Sequence, residues 1–422
     1  MAIYFFLLIG IVAAGIPLCS KKCGKTGKVI FCIAATVVFI VISALRFQVG
    51  YDFNLYGGTY FNMKYMMLEE IMLEKMEKGF LLPLYVLNLA FEDYRTVFLY
   101  TSLIIYPSVF YLIYKNSSNP WISTTAFLCL GIFFNSLCFL RQFIAALIIA
   151  YAVKYIGKKK PLRFFVLTIA AASFHWSALI MLGVYFLLII KPNKIYLGIV
   201  TTGTIIFCIF SRSVMYWVID NFYMYRNYNP DTNIEASNGL PIRYTVMFGI
   251  IFIISFIFRK RLIEKNPNNS IFINCLMYTV VFEAMGTRHG ILSRFALLVY
   301  LPAVLYLIPD LVITVKEYIT EKISSAKRTK ITAILSATIA AIYSVGCYTM
   351  LMLSNYNGTV PYVSQMNRPT DIFVEELSTD DSYEEWEDEE YEDNWDSEER
   401  DDNWEEDLDE EALEEDILNL LT

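Results

Sequence analysis

The stretch from Trp121 to Ile156 carries only two charged residues, Arg141 and Lys154, in a background of aliphatic and aromatic side chains. A helix of about 20 apolar residues crosses a bilayer. Lipid offers the backbone no water to bond, so such runs must close their hydrogen bonds within helices. Comparable runs recur at roughly 3–18, 28–45, 95–114, 120–138, 141–156, 162–173, 175–190, 195–211, 242–258, 270–286, 291–308 and 331–353. They predict an all-α, polytopic integral membrane protein of about 12 transmembrane helices. The run 162–190 reads as one long tilted helix or as two short ones broken near Ser173-Phe174-His175. The run 79–91 is too short to span and reads as re-entrant or interfacial.

Composition supports the same class. Hydrophobic residues make up 56% of the chain and aromatic residues 16%. The usual apolar share of a soluble domain is about 45–50%. Charge is unevenly divided. Residues 371–422 hold 27 of the 42 Asp and Glu with one base, Arg400, whereas residues 1–370 carry 33 Lys and Arg against 15 acids. A soluble enzyme, a fibrous protein and a fully disordered chain are excluded. The division predicts a membrane domain over 1–353, an outer-side linker over 354–370 and an acidic disordered tail over 371–422. The tail, with Trp386, Trp395 and Trp404 evenly spaced, reads as a solubilising segment or as an arm for a basic partner.

Basic loops set the orientation. With the clusters Lys21 to Lys28, Lys154 to Arg163, Arg259 to Lys265 and Lys316 to Lys330 in the cytoplasm, 17 of 20 Lys lie inside and 10 of 14 Arg outside. Both termini then lie on the outer side. The inner Lys follow the insertion rule, but the outer Arg run against it. Arg presents a planar fork that fits phosphate oxygens, whereas Lys is a point charge. The outer Arg therefore point to an anionic substrate at the outer leaflet, the other reading being pairs with headgroups or carboxylates.

Polar residues among apolar neighbours narrow the site. An Arg inside a membrane segment is costly unless it meets water or a partner, which marks Arg141, followed by Gln142. After the second run, Arg46 and Asp52 bracket Gly50, and Tyr56 follows. Residues 61–78 mix Met and Leu with charges and read as an amphipathic helix on the outer surface. His175, one of two histidines, is a candidate base or a hydrogen-bonded structural residue. Arg288, His289 and Arg294 surround two glycines, with Glu283 one turn earlier. They suit a diphosphate grip, or an Arg–Glu pair that closes the turn. In the loop 212–241, Trp217, Tyr223, Tyr225 and Arg226 alternate with carboxylates, as for stacking on sugar rings or for an interfacial aromatic belt. No phosphate-binding Gly loop, zinc signature or nucleophile elbow is present, so neither a metal nor a cofactor is expected, nor a nucleic-acid partner.

The motifs Arg46-x3-Gly50-x-Asp52-x3-Tyr56, Arg141-Gln142 with Ala145-Ala146, Phe174-His175-Trp176-Ser177, Ser293-Arg294 with Tyr300, and Pro361-Tyr362 stand in this order across residues 1–365. In this the chain resembles the EpsG family, related to the Wzy-type polysaccharide polymerases of bacteria. The resemblance implies a multi-pass glycosyltransferase of the bacterial cytoplasmic membrane. It would polymerise undecaprenyl-diphosphate-linked oligosaccharide repeat units into exopolysaccharide or capsule at the outer face. Its partners would be the lipid-linked oligosaccharide, membrane lipid and other polysaccharide assembly proteins. By that resemblance Arg46, Arg141, Arg288 and Arg294 would hold the diphosphate. Asp52 or His175 would take the proton, and Tyr56, Trp217, Tyr223, Tyr225 and Arg226 would hold saccharide. A flippase for lipid-linked saccharides and a non-catalytic assembly subunit are the alternatives, though the polar residues gather at outer ends rather than along a transit route.

Overall fold

The computed structural model describes residues 1–221, 240–322 and 326–365. The chain divides into units Met1–Thr370 and Asp371–Thr422, and the acidic tail lies outside the described residues. Among the described residues the fold is helical, apart from one isolated antiparallel bridge between Arg46 and Ser364.

The helices are α1 Ala2–Leu18, α2 Gly24–Ala44, α3 Phe53–Asn62, α4 Leu68–Leu73, α5 Lys78–Asn88, α6 Arg95–Asn116, α7 Pro120–Cys129, α8 Ile132–Cys138, α9 Leu140–Gly157 and α10 Pro161–Ala172. After them come α11 Ile180–Leu188, α12 Lys194–Asn221, α13 Leu240–Ile257, α14 Arg259–Lys265, α15 Asn269–Gly286, α16 Gly290–Ser293, α17 Ala296–Pro302, α18 Ile308–Lys322 and α19 Ala326–Leu353. Every apolar run marked in the sequence falls on helix. Among the described residues six helical stretches are long and apolar enough to cross a membrane, or up to eight if the bent pairs α7–α8 and α13–α14 each count as one span. Three shorter apolar helices accompany them.

Two expectations are refined. The run 162–190 is broken: α10 stops at Ala172, and a short 3-10 turn, Trp176–Leu179, precedes α11. The stretch 61–78 does not form one amphipathic helix. Met66 and Met67 adopt extended backbone, and the Glu70 carboxylate accepts the Met67 N–H at 2.5 Å, starting α4 afresh. A side-chain acceptor at a helix start satisfies a backbone donor that would otherwise be orphaned.

The chain reverses between two ends of a helical body. At one end Tyr4 donates to Thr359 O at 2.7 Å, fixing the start of α1 beside the segment after α19. At the other end Lys28 donates to Ser118 O at 3.3 Å, and Arg261 and Lys265 pair with Glu321 and Glu317 at 2.7 and 3.0 Å. The basic clusters thus share one end, and the starts or ends of α2, α3, α5, α9, α10 and α16 share the other. Between them Phe39 of α2 packs its ring against Tyr106, Phe110, Phe127 and Phe133, locking α2, α6, α7 and α8 together. Buried aromatics of this kind stabilise by area and by edge-to-face contact, about 0.5–1.5 kcal/mol per pair beyond burial.

Candidate functional site

The loop after α2 reaches its position by pairing with the segment after α19. Phe47 and Gly50 donate backbone N–H groups to Val363 and Gly358 at 2.9 and 3.0 Å, and Gln365 donates back to Leu45 at 2.9 Å. Gly50 sits at φ +99°, and a Cβ there would lie 2.9 Å from Leu137 O. Only glycine accepts both that backbone and that closeness. The loop therefore lies against the end of α8 and delivers Asp52, which precedes α3, toward the first turn of α9.

Arg141 occupies that first turn. It forms an ion pair with Glu77 and hydrogen-bonds the buried Tyr56 hydroxyl of α3. Its Nε is buried without a partner among the described residues. Glu77 itself is almost wholly enclosed. Its Oε1 accepts the Trp176 N–H at 3.0 Å and lies 3.7 Å from His175 Nδ1. A close approach makes this possible. The Gly79 N–H donates to Ser173 O at 2.8 Å, where any Cβ would collide with that oxygen, so the start of α5 docks on the end of α10. Arg294, exposed just after α16, acts electrostatically on both Asp52 and His175. Its backbone oxygen accepts from Gln142 Nε2 at 2.7 Å, tying the 290s turn to α9.

The electrostatics separate the two candidate bases. Burial raises the Asp52 carboxyl above its ordinary range, against the pull of Arg294, Arg141 and the Cys138 thiol. Burial likewise lowers His175, to about 4, with Glu77 opposing and Arg141 and Arg294 reinforcing. His175 is therefore neutral at pH 7, and its Nδ1 accepts the Ser177 N–H at 3.2 Å. The ring proton then sits on Nε2, which makes that nitrogen a donor.

Asp52, Tyr56, Arg141, His175 and Arg294 thus come together. Arg46 does not join them. It is fully buried under the paired loops, with its guanidinium 4.5 Å over the Phe98 ring and Nη1 donating to Ser43 O and Oγ at 2.6 and 2.9 Å. Arg288 is exposed and faces Cys208 of α12. Glu283 makes no ion pair among the described residues, so no Arg–Glu pair closes that turn. Trp217 stands exposed near the end of α12, and Tyr223, Tyr225 and Arg226 lie outside the described residues.

Sequence reasoning passed over Glu77, one acid among several in 61–78. The signal that could have singled it out is Glu77-x-Gly79, an acid two residues before a glycine that opens an apolar run. It also passed over a cavity of about 190 Å3 beside the cluster, lined by Arg294 together with Asn135, Tyr244, Glu283, Tyr300 and Tyr356.

The profile of the EpsG family matches residues 29–364, a span that includes every member of the cluster. The chain belongs to the EpsG family, which is related to the Wzy-like polysaccharide polymerases. No curated protein and no solved structure matches it.

Proposed function

We propose that this EpsG-family membrane protein polymerises undecaprenyl-diphosphate-linked oligosaccharide units at the outer face of the bacterial cytoplasmic membrane. The observation that carries the reading is the convergence, at the end of the body away from the Lys clusters, of Arg141 and Arg294 on the raised Asp52 carboxyl, with Tyr56 held by Arg141. In this reading all twelve apolar runs cross the membrane. They comprise the six spans, the two bent pairs, the three short helices and α15. The product would be an exopolysaccharide or capsule chain.

The chemistry follows from the residues. The hydroxyl oxygen of the acceptor sugar bonds to the anomeric carbon of the donor. The bond from that carbon to the phosphate oxygen breaks, and its electron pair leaves with the lipid diphosphate. The hydroxyl proton passes to the Asp52 carboxylate, whose raised pKa brings it nearer the working pH. Charge building on the leaving phosphate meets Arg141 and Arg294. Arg141 is held by Glu77 and Tyr56, so it needs little reorganisation when that charge appears. His175 contributes its Nε2–H as a donor, and Asp52 is the base.

The test is purified protein with a synthetic lipid-diphosphate oligosaccharide, scored for chain extension. Extension that is lost in Asp52→Asn and slowed by on the order of 100-fold in Arg141→Lys is expected. Transport of the lipid-linked unit without extension would support a flippase, and neither activity would support a non-catalytic subunit.

A further inference from the structure

Beside the charged cluster lies a cavity with a different chemistry. Its volume is about 190 Å3. It has room for a single ring. The lining is dominated by neutral, directional groups. Asn135 is fixed on all sides: its Oδ1 accepts from the Tyr356 hydroxyl at 2.5 Å and from Asn357 Nδ2 at 2.7 Å, and its Nδ2 donates to the Tyr300 hydroxyl. The Tyr356 hydroxyl is thereby committed. The neighbouring Tyr244 hydroxyl, on a side chain that is 4% exposed, donates to the Tyr356 hydroxyl, and its own oxygen is left to accept from a ligand. Glu283, also 4% exposed, lines the same space and forms no ion pair among the described residues. Arg294 belongs both to this lining and to the charged cluster.

We propose that this cavity seats one uncharged sugar ring, the terminal residue of the acceptor, and hands its attacking hydroxyl toward Asp52. This rests on the polymerase reading above. The Glu283 carboxyl, which has no ion-pair partner among the described residues, and the Tyr244 oxygen meet the hydroxyls of the ring. The prearranged Asn135 network gives the pocket its shape. A ring bearing a carboxylate is disfavoured, because it would set a second acid beside the buried Glu283 while Arg294 is engaged by the diphosphate in the reading above. Specificity of this kind comes from polar groups that go unpaired when the wrong ligand binds.

The test uses the full chain in lipid nanodiscs and three probes: methyl glucoside, methyl N-acetylglucosaminide and methyl glucuronide. Saturation-transfer NMR is expected to detect at least one of the two uncharged glycosides and not the glucuronide. Tyr244→Phe and Glu283→Gln should each weaken that binding about tenfold, the effect of losing roughly 1.4 kcal/mol. Both variants keep the shape of the side chain they replace, and size-exclusion elution reports whether they fold. Binding of no glycoside, preference for the glucuronide, or equal affinity in both folded variants would overturn the proposal. The extension assay separates it from the reading it rests on. Extension whose acceptor KM is unmoved by either substitution refutes the cavity alone, whereas glycoside binding at this cavity without extension refutes the polymerase alone.

Discussion

At the scale of single residues, the sequence made Asp52, Tyr56, Arg141, His175 and Arg294 visible because each is a polar head at the edge of an apolar run. It could not rank them. Asp52 and His175 looked equally able to take a proton until packing set their surroundings. Burial pushes Asp52 up and His175 down, to about 4. The acid limb of kcat/KM should therefore lie above the value near 3.9 of an unperturbed Asp. It should disappear with the activity in Asp52→Asn and persist in His175→Asn, as a pH–rate series would show. The raised Asp52 pKa means that the folded state disfavours its ionised form, so Asp52→Asn should hold or raise the thermal midpoint at pH 7 while abolishing extension. His175 has the opposite sign. The unfolded chain takes up the proton first, so its contribution is intact above about 6.5 and stability is lost as pH falls toward about 4. That loss should flatten in His175→Asn. Arg46 shows the limit of residue-level reading. Its motif suggested a phosphate grip, yet full burial over Phe98 makes it a support for the loop that carries Asp52. Arg46→Lys should lower the thermal midpoint, through loss of hydrogen bonds to Ser43 worth about 1–3 kcal/mol, and leave KM for the lipid-linked substrate in place.

At the scale of elements, helix positions were legible because apolar runs of spanning length leave the backbone few alternatives. The breaks were harder. The stretch 61–78 has an amphipathic composition, but the local Glu70 cap wins over continuation and restarts the helix at α4. Glu77 was invisible as a site residue because its meaning depends on a contact between chain-distant segments, the Gly79 N–H on Ser173 O. That contact is testable. Gly79→Ala forces a methyl group against the Ser173 backbone, at a cost of about 1–3 kcal/mol for overpacking. The substitution should lower the thermal midpoint and withdraw Glu77 from Arg141 and Trp176. Extension should fall by a larger factor than in an alanine substitution elsewhere on α5, such as Val86→Ala at an exposed position. The cavity escaped the sequence for a related reason. Asn135, Tyr244 and Tyr300 are isolated polar groups in apolar runs, and only the crossing of α8, α13 and α17 brings them together.

At the scale of the whole molecule, the split between Lys and Arg proved more informative than the net charge. The Lys clusters collect at the end where Lys28 meets Ser118 and Arg261 meets Glu321, while the paired Arg141 and the exposed Arg294 collect at the other. The proposed sidedness has a built-in reporter, since Cys23 is an exposed free thiol among the Lys of the first cluster. An impermeant maleimide should label Cys23 only in permeabilised cells, and a Tyr51→Cys thiol, at a position that is 71% exposed, in intact ones. The reverse pattern would place the site in the cytoplasm. The central claim, that the Asp52–Arg141–Arg294 cluster makes glycosidic bonds from a lipid-diphosphate donor, is met most directly by one measurement. Purified protein is incubated with a synthetic lipid-diphosphate repeat unit, and the products are resolved by length. Wild type should give a ladder of lengthening chains with release of lipid diphosphate, and Arg141→Lys should slow it by on the order of 100-fold, the usual effect of removing one preorganised charge donor. An undiminished ladder in Arg141→Lys and Asp52→Asn, both shown to be folded, would contradict the account.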